Sequence, residues 1–291
     1  MIAFAYACLR REFAALSARR PRTGASPEPE DIHQMRIATR RLRVAMRLFR
    51  HMLPAKAARL AKEFRWFGRT LGEVRDLDVY AENFRGYVQA IPPEELHDLG
   101  GYELHLARAR AAARDNLGAL FADERYSQLL AALAAFLDGA PTPAALRRWR
   151  SFRIGDGIAK YLEKSVQRVV KTGRKIGRDT PAKSLHRLRI RAKRLRYELE
   201  FFSEVYPALA KAAKTTKALQ DTLGAHQDAC TASERLADYA RPLRGPDARR
   251  VPAGLSRLLE SQEQKARDAR QAFAGEWRRF ARTVGRAKLA A

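Results

Sequence analysis

Apolar side chains recur along most of this chain at three- and four-residue intervals, the period of a helix with one buried face. Met35, Ala38, Leu42, Ala45, Met46, Phe49 and Leu53 form one such stripe, and Leu60, Phe64, Phe67 and Leu71 form another. Breakers fall between the periodic stretches. The spacing predicts helices over about 1–20, 28–52 and 55–72, with Leu71-Gly72 either ending the third or passing through it into a fourth that runs to about 90. A helical hairpin follows over 94–137, after the loop Ile91-Pro92-Pro93. Asp138 to Pro143 is the best boundary, dividing the chain into 1–140 and 141–291. Beyond it a helix is expected over 144–178. The next starts at Thr180-Pro181 and ends at Pro207, another carries Lys211, Lys214 and Lys217, and a last one covers 253–288. No run alternates as a strand would. The fold class is all-α.

The polar face of the second helix changes the picture. His33 to His51 carries six arginines and no acid. At about 100° per residue, Arg36, Arg40, Arg43, Arg47 and Arg50 fall within an arc of about 80°, with His33 and His51 at its edge. Like charges four residues apart repel along a helix, so a row kept despite that repulsion points to an anion lying along it. The next helix adds Lys62, Arg65 and Arg69 on one side.

The chain writes this row twice. His186-Arg187-Leu188-Arg189 aligns with His33-Gln34-Met35-Arg36 at an offset of 153, and Lys193, Arg194, Leu195 and Arg196 align with Arg40, Arg41, Leu42 and Arg43. Leu223-Gly224 repeats Leu71-Gly72 at an offset of 152, which also sets Asp228 on Asp76. Such a repeat means two similar modules, here two helical bundles related by a pseudo-twofold axis. The copy is imperfect, because Glu200 stands where Arg47 did.

Charge bears on the partner. Lys+Arg 57 against Asp+Glu 32 leaves a net charge of +25 in 291 residues, with a pI near 10.8. The excess favours a polyanion: nucleic acid, an anionic membrane or a phosphate polymer. Arginine dominates, which suits forked contact with phosphate oxygens. Codon bias in a GC-rich genome would also enrich arginine, but it does not explain repeated positions. Two cysteines, Cys8 and Cys230, fit free thiols in a reduced cytoplasmic protein. The opening MIAFAYACL is too short to span a bilayer, and no later segment approaches 18 uncharged apolar residues. A soluble protein is expected.

Each candidate has a bland reading beside the sharp one. Arg36, Arg40, Arg43 and Arg47 could be a solvated face or could pair with neighbouring helices; repetition and the absence of local acids favour anion binding. Arg189, Lys193 and Arg196, with Lys214 and Lys217, follow by the repeat, and Lys160 and Lys164 on the helix before them are weaker candidates. His33 and His186 either touch phosphate directly, more strongly when protonated, or make a helix-end hydrogen bond that orients the arginine three residues on. Asp76 and Asp78 form a D-x-D without a second carboxylate cluster. Asp76 and Asp228 read better as carboxylates that fix arginines of the row. No HExxH, cysteine-rich, P-loop or GxSxG string occurs, so no metal, no cofactor and no enzymatic activity are expected. A nucleic-acid binder is the direct competitor. Against it, Asn83 and Asn116 are the only asparagines, and aromatics are not interleaved with the basic rows as a stacking platform would need. Trp66 is the one aromatic placed on the basic side.

The pair HQMRIATRRLRVAMRLF and HRLRIRAKRLRYELEFF, with LGEVRDLDV and its weaker echo LGAHQDAC, resembles the CHAD domain, the conserved histidine α-helical domain, over essentially the whole chain. The resemblance implies two four-helix bundles facing each other across a basic central cavity that binds inorganic polyphosphate. It implies a binding module, found alone or fused to a triphosphatase domain; no such second domain is expected within these residues. Association with polyphosphate granules is the corresponding expectation. Gln227, where an arginine should precede Asp228, and Glu200 depart from the pattern and put equal binding by the two halves in doubt.

Overall fold

A proline or an acid marks the start of several helices in the computed structural model. It describes residues 1–21, 27–89, 91–139, 141–148, 154–177, 179–242 and 251–286, with the side chains of 148, 154–160 and 285–286 outside that description. Helix α1 spans Ile2–Ser17 and α2 spans Pro29–Leu48. In α2, Pro29 occupies the first turn, where its missing N–H costs nothing, and Glu30 and Asp31 sit at the positive end of the helix dipole. Helix α3 runs unbroken over Lys56–Val88, so Leu71-Gly72 passes through. A 3₁₀ segment, Pro93–Leu99, leads into α4 (Gly100–Ala122) and α5 (Glu124–Asp138). Asp123 caps α5 by accepting from the Arg125 backbone N–H at 2.8 Å. The second half holds α6 (Pro143–Arg148), α7 (Ile154–Gly173), α8 (Ala182–Ser203), α9 (Leu209–Ala240) and α10 (Ala253–Arg286). Of the helix expected over 144–178, α6 and α7 are described, 149–153 lie outside the described residues, and α7 stops at Gly173. There a Cβ would collide with the Trp277 ring, so only glycine admits that indole. The described residues contain no strand, and no helix among them is long and apolar enough to cross a membrane. The fold is all-α.

The chain groups into two compact units, Met1–Val79 with Leu106–Gly157, and Tyr80–His105 with Ile158–Ala291. A cut at residue 140 is a different division, because the end of α3 and the 3₁₀ segment group with the second unit.

In the first unit the apolar faces of α1, α2 and α3 supply a core that includes Leu9, Met35, Leu42, Phe64, Phe67 and Leu71, all buried. Phe67 meets Tyr126 of α5 at 5.2 Å between ring centroids, and Tyr6 stacks on Phe136 at 5.6 Å. Asp78 is buried too. It accepts from Arg110 at 2.9 Å and from Arg114 at 3.0 Å, both on α4. Removing a carboxylate from water is unfavourable unless it is paired, and two guanidiniums meet that need.

In the second unit, α8 and α10 both pack on α9. The Tyr80 and Tyr102 hydroxyls share a hydrogen bond of 2.7 Å, and burial pushes both phenols up from their ordinary pKa. The 3₁₀ segment is pinned to α10: Arg257 donates twice to Glu95, at 2.8 and 2.7 Å, and the Gly254 N–H donates to Asp98 at 2.9 Å. The Arg257 guanidinium holds the Glu95 carboxyl below the usual range.

Candidate anion-binding site

The first row lies on α2, whose apolar side is buried through Ile32, Met35, Ala38, Leu42, Ala45 and Met46. That packing turns the arginine arc away from the core and across α3. Two glycines of α3 lie along it. A Cβ at Gly72 would sit 3.8 Å from the Arg36 Nε, an ordinary contact, while one at Gly68 would press on the Thr39 methyl at 3.0 Å, with an Arg43 Nη atom farther off at 3.9 Å. Arg36 reaches Asp76 of α3 at 2.9 Å, which fixes one end of the row. Arg43 is half-buried. Its pKa is pushed down by burial and then by the positive charges of Arg65, Arg40 and Arg47. Those four guanidiniums form one like-charged cluster, to which α3 contributes Arg65. Among the described residues no carboxylate pairs with Arg40, Arg43 or Arg65. Lys62 and Arg69 are exposed on α3, each within a turn of Arg65, and His33 is half-buried in the second turn of α2.

The second row lies on α8, buried through Leu185, Leu188, Ala192, Leu195 and Leu199. The glycine placement recurs, and a Cβ at Gly224 would sit 3.7 Å from the Arg189 Nε, again an ordinary contact. The His186 Nδ1 lies 2.7 Å from the Gln227 Oε1 on α9, an atom that only accepts, so Nδ1 is the donor there. Gln227 in turn donates to Thr231 at 3.1 Å. His186 Nε2 is left to accept, or to donate once the ring is protonated. Arg196 is drawn to Glu200 at 3.4 Å and lies over the Tyr197 ring at 4.5 Å. Lys193 is half-buried, Lys214 is exposed, and Lys217 pairs with Asp221 at 2.7 Å on the exposed side of α9. Lys164 is exposed on α7; the Lys160 side chain lies outside the described residues.

Next to each row stands an arginine with another use. Arg41 donates to the buried Glu12 of α1 at 2.8 Å. Arg194, its repeat equivalent, donates to the buried Glu198 at 2.8 Å and to the Tyr161 hydroxyl at 2.9 Å. These pairs hold the helix rather than face a ligand. Sequence reading missed Glu12 and Glu198, although an acid at a core position between Leu9 and Leu16 is a visible signal.

The two carboxylates of the D-x-D serve different arginines. Residues two apart on a helix point about 160° from each other, and here Asp76 meets Arg36 while Asp78 meets Arg110 and Arg114. Two carboxylates facing apart cannot share a cation. No group of three or more metal-ligating side chains gathers among the described residues. Asp228, the repeat partner of Asp76, acts by its charge on Tyr87, whose pKa it helps to raise after burial. Trp66 is covered by the Arg125 guanidinium at 4.1 Å, which Glu63 holds at 2.8 Å, so its ring face is already used.

Known proteins can now be set beside this geometry. A solved protein from Streptomyces chartreusis, PptA, superposes with a TM-score of 0.71 at 18% identity, covering 95% of this chain and 98% of its own, a likeness of fold. The crystal structure of the CHAD domain from the plant Ricinus communis matches with a TM-score of 0.59 at 27% identity, over 94% of this chain and 87% of that one. An uncharacterised protein of Mycobacterium tuberculosis, found in strains CDC 1551 and H37Rv, is 27% identical over 215 residues, 72% of this chain. The match spans 40% of the length of those curated relatives. The family model of the CHAD domain matches residues 7–237, and with both histidine-headed rows inside that span the chain belongs to the CHAD domain family.

Proposed function

We propose that this protein binds inorganic polyphosphate along the two basic rows and does so as a binding module, without catalysis. The observation that carries the reading is the cluster of four arginines, in which Arg40, Arg47 and Arg65 surround the half-buried Arg43, whose pKa is lowered by burial first and by their charges second. Mutual repulsion of this kind is relieved by an anion. Arginine forks match phosphoryl oxygens, and positions four residues apart along α2 step about 6 Å along the axis. A linear chain of phosphoryl units thus meets successive guanidiniums without needing base edges. Each contact releases counterions, so affinity falls steeply with salt. A cytoplasmic protein that coats polyphosphate granules fits this behaviour.

Three experiments test it. Reversing charge with Arg40→Glu and Lys193→Glu together should lower retention on long-chain polyphosphate about a hundredfold at low salt, with far-ultraviolet circular dichroism unchanged. Unchanged retention in a folded variant rejects the rows as the site. Competition between long polyphosphate and single- or double-stranded nucleic acid at about 0.15 M salt separates the two polyanions, and a win for nucleic acid overturns the proposal. Phosphate release from polyphosphate with Mg²⁺ or Mn²⁺ should stay at the blank rate; turnover would make the protein an enzyme.

A further inference from the structure

We propose that Glu200 is an internal competitor for anions, which makes the α8 row bind phosphate oxyanions more weakly than the α2 row. The proposal rests on the polyphosphate reading above. Arg43 and Arg196 occupy the same repeat position, and so do Arg47 and Glu200. Around Arg43 the nearby charges are all positive. Around Arg196 they are not, because Glu200 lies one turn on with its carboxylate 3.4 Å away.

The Arg196 guanidinium is half-enclosed. Tyr197 lies under it, and its Nε is buried with no hydrogen-bond partner. A guanidinium has five N–H donors in a fixed fork, so an oxyanion that approached Arg196 would either displace the Glu200 carboxylate or sit beside it. Displacement forfeits an ion pair, and sharing adds repulsion between anions. A second acid acts in the same sense on α9, where Asp221 holds Lys217 at 2.7 Å. Tripolyphosphate therefore fills the α2 row first, and the α8 row contributes only at higher ligand concentration.

Titration calorimetry of the full chain with tripolyphosphate, at low salt, tests this. Glu200→Gln should tighten the weaker class of sites about threefold, the scale of a partly exposed ion pair. Glu200→Arg should tighten it about tenfold and steepen the log–log salt dependence by about one. Asp238→Arg is the control for added net charge, since Asp238 is exposed and pairs only locally with Arg241. If Glu200→Arg binds no tighter than that control, Glu200 is not a competitor. Should circular dichroism show Glu200→Arg unfolded, Glu200→Gln against Asp238→Asn decides in its place. Arg43→Ala keeps the two ideas apart. Loss of the tight class in Arg43→Ala, with no effect at Glu200, sinks this inference and leaves the polyphosphate reading standing. Full binding by Arg43→Ala sinks the reading itself.

Discussion

Arg41 and Arg194 stand at the same place in the two copies of the motif, yet their countercharges come from different places. Arg41 is met by Glu12, from another helix 29 residues earlier. Arg194 is met by Glu198, one turn along its own helix, with Tyr161 of α7 completing the group. Position in the row is therefore what the repeat preserves, while each half supplies its own solution for the charges beside it. The same divergence runs down α3 and α9. Asp78 binds two arginines where Cys230 stands in the second copy, Arg75 becomes Gln227, and Val74 becomes His226. Gly72 and Gly224 do not diverge, because both lie under an arginine of the row.

The largest expected effect sharpens the Asp78–Cys230 contrast. Asp78→Ala leaves Arg110 and Arg114 without their carboxylate, and breaking a buried pair of this kind costs about 3 kcal/mol. Cys230→Ala removes a half-buried thiol whose sulfur lies 3.8 Å from the His226 ring nitrogens, and should cost about 1 kcal/mol or less. Urea denaturation of both variants measures the difference. Equal losses would mean that α4 is not held to α3 by charge.

Next come the paired acids. Glu12→Gln and Glu198→Gln keep size and remove charge from side chains that are almost fully buried. Each should lose about 2 kcal/mol, since a neutral amide neither compensates the arginine nor accepts as strongly. The discriminating measurement is a double-mutant cycle. Arg41 should couple to Glu12 and not to Glu198, and Arg194 the reverse. Coupling that crosses between the halves would contradict the observed pairing.

The asymmetry was only half legible beforehand. Both rows could be read from the sequence, because a helical arc depends on spacing alone and the repeat confirmed the register. The uninterrupted course of α3 is not legible at Leu71-Gly72, since a glycine looks the same in a break and inside a continuous helix. The use of Asp78 was illegible for a similar reason. Its partners Arg110 and Arg114 are two among many arginines, and nothing local marks them. Glu200 was visible as a mismatch, but its grip on Arg196 needed coordinates.

A smaller effect comes from the two glycines. Alanine at Gly72 or Gly224 places its methyl at ordinary contact distance from Arg36 or Arg189, while helix propensity gains up to about 1 kcal/mol. Thermal melts should move little or upward. Salt-dependent polyphosphate binding should stay within about twofold of wild type in each variant, since the guanidinium need not move. Gly173→Ala is the contrast, since Trp277 would have to leave its place, and its melt should fall clearly. If Gly72→Ala falls as far as Gly173→Ala, the helix under Arg36 has no space for a methyl group.

The smallest expected effect concerns protons. His226 is buried where the first copy has Val74, and burial, then the charge of Arg270, pushes its pKa down. Cys230 is its neighbour on the same helix, and burial pushes that thiol up, keeping it protonated near neutrality. A depressed imidazole binds fewer protons folded than unfolded. Stability linked to it is therefore fully present above the unfolded value of about 6.5 and declines as pH falls from there toward the folded pKa, below which the loss levels off. His226→Val should remove that slope from the second unit. All other groups are common to both proteins, so the quantity to follow is the wild-type minus variant stability between about pH 7.5 and pH 5. A difference that grows in the variant's favour as pH falls matches a shielded imidazole, whereas a flat difference means that His226 takes up its proton as readily folded as unfolded, and that this replacement of Val74 carries no electrostatic consequence.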